Sequence, residues 1–436
     1  MMMNQHPTRS VRHHRLLLAL ASIPFLDCIL NQLNNAFQLN VGPFSILQLF
    51  RGAILLMFIG ACLWILRRDP GGLSRIPLPA VAAFGLLAVV ISKELVLTGS
   101  IAMTGAIPYG QMIYWLLLWI TVSILCTQIE QAEILLKGLA VGAVLTAMSV
   151  IVGYFYGGLN YYEDDSIRSS SGWFDTAKMI TGVLVTGGVV ILYLGRGKKG
   201  LMYPLVSLTC FVACILTYAR AGTVALGAVL VWLSVWCAIE GRKRRWLSLT
   251  RFLGLGLVAA LATGMFVPAE TLFARWGDID EGDKAGSGRA SFWKVAVTGY
   301  VDAETSEQII GRGYSSMSAL LFDNYGADVK HTHNDALDML LVAGATGGIW
   351  LFFLIGHRVA RVAKLSLVTT EGAASAAILL TYLCHAQFTG QLWGTDSMTY
   401  YMVSLESLYV LGRLQREGKP RVHKYTSAIE AATVAY

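Results

Sequence analysis

The chain has 436 residues, 55% of them hydrophobic and only 14% charged, where a soluble domain carries about 25% charged residues. That deficit excludes an ordinary water-soluble globule and says that most of the surface faces lipid. The net charge of +7 does not describe a nucleic-acid binder, because the basic residues fall in short clusters between apolar runs with no patch of interleaved aromatics. Such clusters fix orientation in a membrane.

A spanning helix needs about 20 apolar residues, and about twelve such runs occur, near 15–33, 44–66, 77–97, 108–126, 132–156, 174–195, 200–218, 222–239, 250–268, 336–356, 370–391 and 397–413. The basic stretch Arg9 to Arg15 precedes the first run. No small-residue cleavage site follows, so that run reads as a retained span. Cys28, Cys62, Cys126, Cys210, Cys214, Cys237 and Cys384 all lie in or beside apolar runs, which predicts no disulfide framework. Cys210 and Cys214 share a helix face, as membrane packing explains better than a metal site.

The predicted architecture is all-α and polytopic. Residues 1–267 hold spans one to nine, 268–335 form one long extracytoplasmic loop with short helices, 336–415 hold spans ten to twelve, and 416–436 are a cytoplasmic tail. Loop charges support this count. With the N-terminus cytoplasmic, alternate connections carry Arg67, Arg68 and Arg75, then Arg196, Lys198 and Lys199, then Arg242 to Arg245 and Arg251, then Arg358, Arg361 and Lys364. The tail adds Arg413, Arg416, Lys419, Arg421 and Lys424, while the segments 33–43, 98–107 and 390–396 carry no Lys or Arg. Both termini are therefore expected in the cytoplasm. The connection with Gln128, Glu130 and Glu133 is the exception, being cytoplasmic but not basic.

Ionisable residues inside spans are costly and mark function or a buried pair. Asp27, Arg51, Lys93, Glu94, Lys178, Asp338 and His385 are all expected in the outer half, and only Glu406 near the middle. Snorkelling, or a local pair such as Asp27 with Arg51, accounts for any one of them. The one-sided set points to a site on the outer face rather than a pathway through both halves.

Four outer segments stand out: Tyr218-Ala219-Arg220-Ala221-Gly222, Gly286-Ser287-Gly288-Arg289-Ala290-Ser291-Phe292-Trp293, Ile310-Gly311-Arg312-Gly313-Tyr314 and His331-Thr332-His333-Asn334-Asp335. Outward arginines invert the usual charge bias. Two or three around one point would hold a diphosphate by paired N–H donors without a metal, or each could pair with a loop carboxylate. His331 and His333 lack a third ligand at zinc spacing, so no metal is predicted. Either is suited to general-base work. Asn334 or Thr332 would cap span ten, whose N-terminus favours an anion. Gly195 to Gly200 does not fit GxxxxGK[ST], and no GxGxxG follows a strand. No nucleotide or other cofactor is expected.

The run His333-Asn334-x-x-Leu337-x-x-Leu340, continuing to Gly344 and Gly347, resembles the signature of the O-antigen ligase and polymerase superfamily. The Tyr-Ala-Arg-Ala-Gly turn, Gly-Arg-Ala-Ser-Phe-Trp and Ile-Gly-Arg-Gly-Tyr resemble its other motifs, in the same order and topology. The resemblance is sequence-specific over about 218–348. Many members have Glu where this chain has Val342, so no carboxylate is required there. The resemblance implies a GT-C type glycosyltransferase, inverting and metal-independent, in the bacterial inner membrane. It would move a glycan from undecaprenyl diphosphate at the periplasmic face to the lipid A core in a ligase. A polymerase would use a second lipid-linked glycan, and related members a protein hydroxyl. The single large loop and the cationic outer site suit a ligase with two anionic lipid substrates. In that frame Arg220 and Arg289 clamp the diphosphate, with Arg312 as a further contact. His333 is the base and His331 its substitute. Asn334 lends support, while Lys93, Lys178 and Arg51 line the entrance for lipid head groups. A lipid-linked glycan flippase is the rival, but it would need polar residues on both sides of the midplane and two related halves.

Overall fold

In lipid the backbone must close its hydrogen bonds within each segment, so a long apolar run has one solution, a helix. The computed structural model describes residues 21–23, 26, 29–30, 40–41, 44–68, 70–98, 103–157, 160–161, 167–168, 177–196, 198, 200–239, 289–325, 331–365, 367 and 369–418. Its regular structure is helical apart from two short antiparallel ladders, Asn40–Val41 with Phe44–Ser45 and Asn160–Tyr161 with Ile167–Arg168. In chain order the helices are α1 (Ile46–Arg68), α2 (Leu78–Thr98), α3 (Met103–Leu125), α4 (Ile129–Gly157), α5 (Ala177–Leu194), α6 (Met202–Leu216), α7 (Arg220–Ile239), α8 (Arg289–Val301), α9 (Thr305–Ile310), α10 (Tyr314–Tyr325), α11 (Asp335–Leu365), α12 (Thr370–Phe388) and α13 (Thr395–Arg416).

Helices α1 to α4, α7 and α11 are long and apolar enough to cross a membrane, and the shorter α5 and α6 are also apolar. The protein is a polytopic α-helical membrane protein. Predicted spans two to eight and ten to twelve each coincide with a described helix. Span nine and most of span one fall outside the described residues, as do Asp27, Tyr162 to Asp165 and the glycines 286 and 288.

Local signals set the helix ends. Gln131 Oε1 reaches back to the backbone N–H of Gln128 at 3.0 Å and of Thr127 at 2.8 Å, so the non-basic connection before α4 is a capping turn. Thr369 caps α12 by accepting the N–H of Gly372 at 3.0 Å.

Helix α13 occupies the centre, packed on α3, α4, α5, α11 and α12, and it is buried along most of its length. Facing protein rather than lipid, it tolerates Ser397, Thr399, Ser404 and Ser407. Small residues let it approach closely: a side chain on Gly182 of α5 would come within 3.0 Å of Ser397 Cβ. At the periphery the situation reverses. The apolar window of α1 is 22% buried and that of α7 28%, against 72% for α3, so α1 and α7 present their apolar surface to lipid.

The sequence reading placed Arg358, Arg361 and Lys364 in a connecting loop. The structure corrects this, because α11 stays helical to Leu365 and buries Arg358. Both arginines pair with Glu406 of α13, Arg358 at 3.2 Å. Trp119 Nε1 donates to the same carboxylate at 2.9 Å, and the Arg358 guanidinium lies 3.9 Å from the Trp119 ring centroid. The charge near mid-membrane is thus part of a closed structural cluster. Arg51 likewise pairs with Asp396 of α13 at 2.5 Å.

Breaking a buried pair strands a charge and costs about 3–5 kcal/mol, whereas replacing both sides with apolar residues is close to neutral. Glu406→Ala is therefore expected to lower stability by about that amount, read as a fall in the thermal midpoint of purified protein. Glu406→Leu combined with Arg358→Met and Arg361→Met is expected to recover most of it.

Candidate functional site

The site is organised around the start of α11. Asn334 caps the helix, its Oδ1 accepting the N–H groups of Ala336 at 3.0 Å and Leu337 at 3.2 Å. The chain enters through His331, Thr332 and His333, and His333 adopts a left-handed backbone with φ 62°. That conformation is strained for a residue other than glycine. The two imidazoles lie 4.3 Å apart at 74°, and the backbone N–H of His333 donates to His331 Nδ1 at 3.3 Å.

Two carboxylates of α11 secure this turn. Asp338 Oδ1 accepts the Thr332 N–H at 2.8 Å and its hydroxyl at 2.7 Å. Asp338 Oδ2 accepts Trp393 Nε1–H at 3.1 Å and faces His331 Nδ1 at 3.5 Å. Asp335 Oδ1 accepts the Leu392 N–H at 3.1 Å. The loop between α12 and α13 therefore wraps the histidines, and it does so closely. A side chain on Gly390 (φ 64°) would meet His331 Nδ1 at 2.7 Å. Asn334 Nδ2 reaches Gln387 Oε1 of α12 at 3.2 Å.

Other motifs converge on the same helix ends. Trp293 of α8 donates to the Thr332 carbonyl at 3.2 Å and lies 6.5 Å from the Phe388 ring. Arg289, the first residue of α8, lies one turn before Trp293 on its face. Residues 217–219 alone join α6 to α7, so Arg220 opens α7. Tyr218 in that turn has φ 53°; among the described residues, it and His333 are the positive-φ positions other than glycine. The turn is held by Thr217 Oγ1–H donating to the Cys214 carbonyl at 2.6 Å. Gly222 lets α7 press against α5, since a side chain there would lie 2.5 Å from Thr181 Cβ. Thr181 Oγ1 in turn hydrogen-bonds His385 Nε2 of α12 at 2.9 Å. Both the Arg220 turn and the histidine turn thus rest on the neighbouring ends of α5 and α12.

The Ile310 to Tyr314 motif is built into the scaffold. Helix α11 breaks at Gly344, with φ 63° and ψ −157°. The break frees the carbonyls of Leu341 and Val342, which accept the N–H groups of Arg312 at 2.8 Å and Gly313 at 3.0 Å. Lys93 donates to the Gly311 carbonyl at 2.5 Å. Tyr109 donates to Glu94 at 2.5 Å and accepts the Tyr314 N–H at 2.8 Å. The Arg312 guanidinium is engaged by Glu307 at 3.0 Å and the Gly299 carbonyl at 2.9 Å. It also lines an open cavity of about 820 Å³ with Lys294 and Thr298 of α8 and Asp302 just beyond it. Arg51 is held by Asp396. Lys178 lies in the first turn of α5.

Residues 205–354 match the family model for the O-antigen ligase. The chain carries an O-antigen ligase domain. This domain covers most of α6, all of α7 to α10 and most of α11, and so contains Arg220, Arg289, Arg312, His331 and His333. The match supports a function of the O-antigen ligase and polymerase type, in a multi-pass membrane protein. No curated protein matches the chain.

Sequence reasoning did not find Trp393 or Gly390, which lie beyond the domain in a loop with no motif. It noted Asp338 as a charge at a helix start but gave it no role. Its spacing of one and a half helical turns from His333 was the available signal.

The glycine of the domain that breaks α11 should be intolerant. Gly344→Ala would place a side chain 2.5 Å from the Ile309 backbone in a left-handed conformation, a strain of about 1–3 kcal/mol. It is expected to lower the thermal midpoint, while Gly356→Ala in the same helix, with nothing within 4 Å, should be neutral.

Proposed function

We propose that the protein is an inverting, metal-independent glycosyltransferase that moves a glycan from undecaprenyl diphosphate to a sugar of the lipid A core. The reaction would take place at the periplasmic face of the inner membrane, with both termini in the cytoplasm. The observation that carries this reading is the convergence of the Arg220 turn, the Arg289 helix and the histidine turn on adjoining helix ends. Each of the two non-glycine backbone outliers described above lies in one of these turns.

The acceptor hydroxyl oxygen attacks the anomeric carbon from the face opposite the diphosphate. A new C–O bond forms as the bond to the diphosphate oxygen breaks, and the electron pair leaves with the diphosphate. Arg220 and Arg289 stabilise the charge that develops there. His333 takes the acceptor proton, with His331 as the substitute. A diphosphate leaves readily, so no general acid is required. Asn334 holds the turn at the helix N-terminus, whose dipole favours the anion. Lys178 lines the entrance for lipid head groups. Arg312, Lys93 and Arg51, engaged by protein groups, support the walls of the site.

A lipid-linked glycan flippase fits less well. Arg358, Arg361 and Glu406 neutralise one another, and Glu371 is engaged by Tyr193 at 2.9 Å and Arg196 at 3.6 Å. Those ionisable groups are committed to structure rather than offered to a passing substrate.

The test is reconstitution with undecaprenyl-linked glycan and either lipid A core or a second lipid-linked chain. Extension of the lipid A core supports the ligase; extension of the second chain would make the protein a polymerase. His333→Ala is expected to reduce transfer by about 10²–10⁴-fold with unchanged expression. His333→Asn, which suits a left-handed backbone, should be equally inactive, and normal turnover by either folded variant would remove His333 as the base. Arg289→Lys should also be damaging, because the planar fork is lost; free substitution by Lys at both Arg289 and Arg220 would disprove the bidentate clamp.

A further inference from the structure

Asp338 is fully buried, yet its carboxylate collects two hydrogen bonds from Thr332, one from Trp393, and a contact with His331. Thr332 lies between the two histidines. Anchoring its N–H and hydroxyl fixes the chain on either side, and it does so next to the left-handed His333. The backbone N–H of His333 points at His331 Nδ1 at 3.3 Å. The Asp338 carboxylate closes the same side of the His331 ring.

We infer that Asp338 is the positioning residue of the histidine turn. It would hold the His331 ring in place and His333 in its strained backbone, without touching substrate. This rests on the reading of His333 as the base. The carboxylate is specifically required, because it only accepts hydrogen bonds. An asparagine offers one acceptor oxygen and an N–H₂ group, and that group would confront either the Thr332 donors or the Trp393 indole N–H. Trp393 completes the device from the loop beyond the O-antigen ligase domain, so part of the site's geometry is set by a segment outside the matched region.

The experiment compares Asp338→Asn with the unaltered full-length protein in transfer kinetics and in nitrogen-15 NMR of its imidazoles. Misplacing a reacting group by about 1 Å costs about 10²-fold. The expected result is a kcat lowered about 10–100-fold, with the KM for the lipid-linked donor within about twofold. The His331 Nδ1 signal should also shift, because the charged carboxylate beside it becomes a neutral amide. An unchanged kcat, a change in KM alone, or unaltered His331 and His333 signals would overturn the inference.

If Asp338→Asn does not fold, Trp393→Phe serves instead. It keeps the aromatic contact with Tyr314, whose ring lies 5.0 Å away, and removes one donor to Asp338. Its kcat should fall about 3–10-fold, and a wild-type value would overturn the inference. Should the unaltered protein transfer no glycan, the functional reading fails, while the NMR signals still decide the role of Asp338.

Discussion

In a bilayer every backbone N–H and carbonyl must find a partner within the protein, and the break in α11 at Gly344 shows what that constraint builds. A continuous helix would have satisfied Leu341 and Val342 internally. The break releases their carbonyls, and the segment 311–313 fills them with its own N–H groups. That insertion ties α9 and α10 to α11, while Lys93 and the Glu94–Tyr109–Tyr314 chain fix the same segment to α2 and α3. The histidine turn lies about two and a half helical turns before the break, and it inherits this bracing. The segment that carries Arg312 is thereby also a structural joint. Its glycines are there because backbone meets backbone, with no room for a side chain at Gly311 or Gly344.

What the sequence discloses depends on the range of the interaction. Helix existence is local, and the apolar runs located α1 to α7 and α11 to α13 without any knowledge of packing. The order of the Arg and His motifs is also local, and it led to the domain found at 205–354. Pairing across the bundle is not local. Glu406 looked like an isolated charge because its partners lie on another helix, and the register of α13 against α11 is not written in either sequence. Arg51 likewise pairs with Asp396 at the far end of the chain, a contact that no local pattern announces, while Asp27 lies outside the described residues. Arg358 and Arg361 read from sequence as loop cations because positive charge ordinarily marks the cytoplasmic side. Long apolar stems let arginines remain helical beside a buried carboxylate, and composition alone cannot tell the two uses apart.

The buried charges divide into two kinds by what completes them. Glu406 is closed by Arg358, Arg361 and an indole N–H, all from helix interiors. Asp335 and Asp338 are completed largely by the irregular chain, through the Leu392 and Thr332 N–H groups and the Trp393 indole. A carboxylate that fills its shell from helices fixes the spacing of the bundle. One that fills it from loops fixes the loops. The second kind occurs at the end where Arg220, Arg289 and the histidines lie, and there the fold must hold irregular backbone still.

Strain at Tyr218 and His333 belongs to the same logic. A left-handed non-glycine residue persists only when its surroundings over-determine it. At Tyr218 the determinants are the Thr217 side chain and the short junction between α6 and α7. At His333 they are the Asn334 cap, the Thr332 anchor and the wrapping loop from α12 to α13. In each case the strained residue adjoins, or is itself, a side chain proposed to meet the diphosphate or the acceptor. A catalyst of the proposed kind, with two lipid-borne substrates, could not rely on either of them to order its site. Rigid presentation of the proposed arginine and base would then have to come from the protein alone, through the helix ends of α5, α11 and α12.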